Sequence, residues 1–251
     1  MLSGLGRRYY YPKGILSQSA EAKAKAHRTN ATIGIATEGG VAMHLPSIQR
    51  HFQGIAPKDL YPYAPVAGKE ELRKRWRAKQ LEENPRMRGK ELGLPIVTSA
   101  LTHGLSLVAE LFIEPGDAIL IPDQLWGNYR LAFEVRHQGV IETFPLFAGE
   151  GFNVDGFSAA LAKAGERARK VMVVLNFPNN PTGFTPTAAD AEAISGEILK
   201  LAARGTRVLA VVDDAYFGLF YDESCLQESI FGYLAGEHEN VLAIKLDVAT
   251  K

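Results

Sequence analysis

From about residue 94 onward the chain alternates short apolar, β-branched runs with segments of helical pattern, and this alternation constrains the fold more than any other feature. The runs are LPIVTS (94–99), AILIP (118–122), GVIETFP (139–145), KVMVVLNF (170–177), RVLAVVDD (207–214) and NVLAIKLD (240–247). Most are continuously apolar rather than alternating, which suits strands buried on both faces. Helical candidates lie between them near 102–113, 127–137, 155–165 and 187–204. In the last, Ala191, Ile194, Ile198 and Leu201 recur on one helical face, Thr185 is expected to cap, Pro186 to occupy the first turn and Gly205 to end the helix. The pattern predicts an α/β fold: a mainly parallel sheet sandwiched by helices. The start of the chain differs, with the Ala/Lys-rich SAEAKAKAHR followed by NATIGIATEGG. Residues 1–45 are therefore expected to form an N-terminal arm and part of a small domain, and residues 46–251 a large domain.

Composition removes several function classes. The 251 residues, 46% of them apolar, can bury a large core. Lys+Arg and Asp+Glu are both 28, so no net positive field favours nucleic acid or an anionic membrane. The run KEELRKRWRAK (69–79) sets Leu72 and Trp76 four apart among charges, the pattern of a solvated helix with an apolar stripe. Six scattered histidines and the single Cys225 have no metal-ligand spacing, so no metal site is predicted. No run has membrane-span length and no signal-peptide pattern opens the chain, which makes cytoplasmic the expected location. There is no phosphate-loop signature and no G-x-S-x-G, and the GLGRRYY at the N-terminus follows no strand, so it is not a dinucleotide fingerprint.

In an open α/β sheet, ligands bind beyond the carboxyl ends of the strands. Five such ends carry suggestive groups: TSALTHG (98–104) at a helix start, DQLWGNY (123–129) with a large aromatic, NNPTG (179–183), DDAY (213–216) and ATK (249–251). A helix start offers backbone N–H groups to an anion. Asn, Pro and Gly in NNPTG supply a turn that can aim a side chain at a ligand.

Taken together, NNPTG, D-x-A-Y 33 residues from Asn180 to Asp213, W-G-N and a lysine past the last strand resemble the large domain of a fold-type-I pyridoxal-phosphate enzyme of the aminotransferase class I/II family, from about residue 30 to the last. The resemblance implies pyridoxal 5'-phosphate as cofactor and gives roles to matching residues. Asp213 would hold the pyridine nitrogen protonated, Tyr216 and Asn180 would bond the ring's phenolic oxygen, and Trp126 would lie over the ring. Ala100, Leu101 and Thr102 align with the loop that grips the phosphate, although this chain departs there from the commoner Ser-Gly-Thr or Gly-Ala-Asn forms. Tyr63, in YPYAPVAG, matches a tyrosine that reaches the phosphate of a neighbouring subunit, which implies a homodimer. Lys251 would form the internal aldimine: it stands 38 residues after Asp213, in DVATK where the family more often has S-x-S-K. Lys245 competes, but alternation puts it mid-strand.

The implied reaction moves an amino group from an amino acid to a 2-oxo acid, with Lys251 shifting the Cα proton. A C–S β-lyase on the same fold, or the non-catalytic aminotransferase-like domain of a transcription regulator, are the alternatives. The family's further strands, its phosphate-contacting arginine and its substrate-carboxylate arginine come after the lysine, in a C-terminal part not in this sequence. The natural polypeptide is accordingly expected to be longer, by on the order of 100 to 200 residues.

Overall fold

Five of the six apolar runs become strands of one parallel sheet. A computed structural model describes residues 1–9, 14–30, 32 and 34–249, the side chains of Ile15 and Leu16 excepted. The strands are β3 (Ala118–Pro122), β4 (Val140–Phe144), β7 (Lys170–Asn176), β8 (Arg207–Asp213) and β9 (Val241–Leu246), in the spatial order β4-β3-β7-β8-β9. Every neighbouring pair is parallel. A parallel ladder needs a crossover between partners. β3 leads to β4 through a stretch from Arg130 to Val135 that winds as a π-helix, β4 to β7 through α7 (Val154–Arg167) and β7 to β8 through α8 (Ala188–Ala203), while α6 (Ala100–Phe112) precedes β3. A two-residue pair, β5 (Phe147–Ala148) with β6 (Gly151–Phe152), precedes α7. The expected helix at 127–137 is thus mainly π-helical.

Helices cover both faces, so the inner strands must be apolar on both. Val208, Ala210 and Val212 of β8 face one cluster with Ile194 and Ile198 of α8 and Phe157 of α7. Leu209 and Val211 face the other, with Leu105 and Val108 of α6 and Phe133 of the π-helix. This is the predicted sandwich, and all four residues of the α8 stripe are buried.

Two expectations fail. LPIVTS forms no strand: Ile96 is 66% exposed, and Val97 N–H reaches only the carbonyl of Ala67. An apolar run becomes a strand only where a neighbour supplies a ladder, and among the described residues none does, while Pro95 has no N–H to give. The cap of α8 is Thr187, not Thr185: its hydroxyl accepts from Asp190 N–H while the Asp190 carboxylate accepts from Thr187 N–H, a reciprocal capping box. Thr187→Ala is expected to lower stability by about 1 kcal/mol, readable as a fall in the midpoint of denaturant unfolding with unchanged slope.

The chain divides into two compact units, Met1–Tyr9 with Ala67–Lys251, and Tyr10–Val66. The first also contains α1 (Gly4–Arg8) and α5 (Glu70–Glu83). The second holds α2 (Ile15–Lys25), the hairpin β1 (Thr37–Glu38) with β2 (Val41–Ala42), and the short helices α3 (Pro46–Gln49) and α4 (Pro57–Leu60). Among the described residues no helix is long and apolar enough to cross a membrane.

Candidate active site

The strand ends converge on one cavity of about 210 Å3. Ala100, Leu101 and Thr102 enter from the start of α6, Trp126 from the loop after β3, Asn180 from the turn after β7, and Asp213 with Tyr216 from the end of β8. Seven predicted residues, contributed by four segments far apart in sequence, therefore share one space. Tyr63 belongs to the Tyr10–Val66 unit, where it is fully exposed. Lys251 lies outside the described residues.

The turn after β7 explains its three asparagines. Asn176, the last residue of β7, accepts from Asn180 N–H at 2.8 Å and donates to the Asp213 carbonyl at 2.9 Å, joining the turn to the end of β8. Asn179 accepts from the N–H and hydroxyl of Thr182, donates to the Gln124 carbonyl, and closes the turn through its own backbone to Phe184 and Gly183. Gly183, at φ +76°, occupies the left-handed region that favours glycine. Asn176 and Asn180 both line the cavity, and the engagement of Asn176 with the Asp213 carbonyl and the Asn180 N–H holds Asn180 there.

At the start of α6, Ala100 has φ +62°. A non-glycine residue in that region is uncommon and marks a backbone held by its surroundings. Ser99, at the N-cap, makes no side-chain capping bond. The first amides of a helix lack intrahelical partners, so this terminus suits an anion in the cavity.

Asp213 is 2% exposed. One carboxylate oxygen accepts from Ala215 N–H at 3.1 Å and the other from the Tyr129 hydroxyl at 2.5 Å. Burial, and then the charge of Asp213, push the Tyr129 hydroxyl well above the ordinary phenol range, so it stays a donor. Tyr129 stands directly before the π-helix, stacked on Phe133 at 5.8 Å and edge-on to Trp126 at 5.6 Å. Sequence reasoning passed over Tyr129 and Asn176. Tyr129 follows Trp126 by three residues, and Asn176 is a polar residue closing an apolar strand; both were visible as signals in retrospect.

Strand alternation separates the two consecutive aspartates. Asp213 points to the Tyr129 side, whereas Asp214, also 2% exposed, pairs with Lys245 and accepts from the Ser229 hydroxyl at 2.6 Å. Lys245 lies opposite Val212 in the ladder, in the β9 row that includes Val241 and Ala243, so it faces the side away from Tyr129.

Residues 45–244 match the family model for aminotransferase class I and II. The chain belongs to that family. Its members are pyridoxal-phosphate-dependent enzymes. Among its relatives are a histidinol-phosphate aminotransferase of Natronomonas pharaonis, 31% identical over 47% of this chain and 30% of that protein, and an aspartate aminotransferase of Rhizobium meliloti, 29% identical over 64% of this chain and 37% of that protein. An aminotransferase from Anaerococcus prevotii superposes with a TM-score of 0.79 at 20% identity, covering 98% of this chain and 62% of that one, which establishes the shared fold. The chain thus spans about a third of the length of the curated relatives it matches.

The site's donor set fits the family's cofactor. An uncapped helix start suits a phosphate, a buried carboxylate suits a protonated ring nitrogen, and Trp126 offers an aromatic wall. Tyr129→Phe removes one hydrogen bond to the Asp213 carboxylate. A bond to a charged group is worth about 1.5–3 kcal/mol, so turnover is expected to fall by on the order of tenfold or more, with the protein still folded; steady-state kinetics beside a circular-dichroism melt would check it.

Proposed function

We propose that the whole protein is a pyridoxal-phosphate-dependent aminotransferase, moving an amino group from an amino acid to a 2-oxo acid. The observation that carries this reading is the buried Asp213 carboxylate at the end of β8, in one cavity with the start of α6, Trp126, Asn180 and Tyr216. Pyridoxal phosphate, when bound, supplies an electron-accepting ring that stabilises negative charge developing at the Cα of an amino acid.

The chain's own residues hold and polarise that ring. Asp213 keeps a proton on the ring nitrogen, and Tyr129 and the Ala215 N–H keep the carboxylate aimed. Thr102 and the first amides of α6 bind the phosphate, Asn180 and Tyr216 donate to the phenolic oxygen, and Trp126 walls the ring. Lys251 would carry the cofactor and, once displaced by the substrate amine, its own free amine would move the proton from the substrate Cα to the cofactor carbon. Support for Lys251 over Lys245 comes from Lys245 itself: burial pulls its pKa down, but Asp214 and Asp247 outweigh that and hold it above the ordinary lysine value, as a cation. A held cation is not a nucleophile.

The active unit is proposed to be a homodimer in which Tyr63 reaches the phosphate of the neighbouring subunit. In its favour, the Tyr10–Val66 unit exposes the large apolar side chains of Val41, Leu45, Phe52, Tyr61 and Tyr63, of the kind that a partner covers.

The test is a panel of amino acids added to the full-length protein loaded with cofactor, following the visible absorbance and identifying the product. Bleaching with stoichiometric 2-oxo acid and aminated cofactor is expected. Pyruvate with ammonia would indicate a β-lyase, and no spectral response across the panel would overturn the enzymatic reading.

A further inference from the structure

On the face of the sheet away from Tyr129 lies a closed circuit of polar groups that the proposed reaction does not use. Lys245 Nζ, its side chain 5% exposed, pairs with Asp214 at the end of β8 and with Asp247, one residue past β9, at 3.2 Å. Asp214 accepts from the Ser229 hydroxyl, Ser229 N–H donates to Asn84 at 2.6 Å, and Asn84 donates to the Gln80 carbonyl at 2.8 Å. Gln80 Nε2, from α5, returns to Asp247 at 3.4 Å. Four segments of the chain, around residues 80–84, 214, 229 and 245–247, join in this circuit, and two of its carboxylates hold the ammonium group.

Both carboxylates held by Lys245 adjoin the cavity along the chain. Asp214 follows Asp213, and its N–H bonds the Leu246 carbonyl at 2.9 Å. Asp247 precedes Val248, which lines the cavity, and accepts from Val248 N–H at 2.9 Å. The backbone bond fixes β8 against β9 at the height of the site, and the lysine fixes the chain as it leaves β9. Burial pushes the Asp214 carboxyl upward, against the opposing pull of Lys245 and Ser229. With Asp247 beside it as well as Asp214, the lysine remains charged.

We propose that Lys245 is a positioning residue for the cofactor site: through Asp214 it sets Asp213, and through Asp247 it sets Val248 at the cavity wall. This rests on the cofactor reading above. A site works when groups outside it hold its contacts to within about half an ångström, and here one cation holds two of the strands' exits together. A purely structural ion pair would behave otherwise, because replacing a whole buried pair with neutral groups is often harmless to stability.

That difference supplies the test. In the full-length protein, Lys245→Met alone leaves the Asp214 carboxylate buried beside no cation, and the melting temperature is expected to fall. The double variant Asp214→Asn/Lys245→Met removes both charges, and the melting temperature is expected to recover. Affinity for pyridoxal phosphate, read by equilibrium dialysis of the reconstituted apoprotein, is expected to stay weaker by on the order of tenfold, the usual scale for loss of a supporting shell. Asp247→Ala leaves the Asp214–Lys245 pair intact and decides the matter should the double variant not fold: wild-type melting with about tenfold weaker cofactor binding supports positioning. Wild-type affinity in either folded variant overturns it. Failure of the wild-type protein to bind the cofactor at all would instead overturn the underlying reading, and this proposal with it.

Discussion

Replacing Asp213 with Asn is expected to lower the turnover of the full-length enzyme by roughly 10^2–10^3-fold, the scale of losing one preorganised electrostatic contact to developing charge, while the fold and bound cofactor persist. The amide has the shape of the carboxylate. Its oxygen can still accept from Ala215 N–H, and the Tyr129 hydroxyl can rotate to accept from the new amide instead. Only the charge disappears, and among the described residues lining the cavity Asp213 is the one acid. Steady-state kinetics with a thermal melt would separate chemistry from folding; unchanged turnover would remove Asp213 from the mechanism. Sequence alone suggests that Asp214→Asn is the mild control. The structure changes that expectation, because Asp214 is buried against Lys245. Its loss is expected to cost up to about 3 kcal/mol, short of a fully broken buried pair because Asp247 remains.

The second large effect concerns Lys251. Lys251→Ala is expected to abolish covalent attachment of the cofactor, with its visible band, and to reduce turnover by at least about 10^4-fold, since one amine serves as both anchor and proton carrier. Borohydride reduction followed by peptide mapping should place the label on Lys251 in the wild type. A label on Lys245 would overturn the assignment. The physical ground for expecting otherwise is that Lys245 projects to the face opposite Asp213 and is occupied by two carboxylates.

The two faces of the sheet were legible because burial on both sides leaves nearly unbroken apolar runs, as in Ala118–Pro122 and Arg207–Asp213, and the strands formed there within a residue or two. The same signal misled at LPIVTS, where apolar, β-branched residues are present but a hydrogen-bonding neighbour is not. Composition records what a strand can bury, not what it pairs with. At the cavity, residues belonging to short motifs were legible one by one. Tyr129 and Asn176 were not, because each acts on another side chain or backbone group across the sheet, Tyr129 from 84 residues away from Asp213 and Asn176 from 37. The π-helical stretch after Tyr129 was hidden as well, because the residues from Arg130 to Val135 carry an ordinary helical pattern.

Consecutive aspartates at the end of β8 make the identity of the ring's partner a matter of parity. Slide that strand by one residue and a carboxylate still points into the cavity, yet every apolar side chain of β8 would change layers, Val211 and Val212 exchanging helices to pack against. Anyone transplanting this pair of acids onto another sheet would therefore find that counting residues from the strand's start, odd or even, decides the outcome before any choice of side chain does.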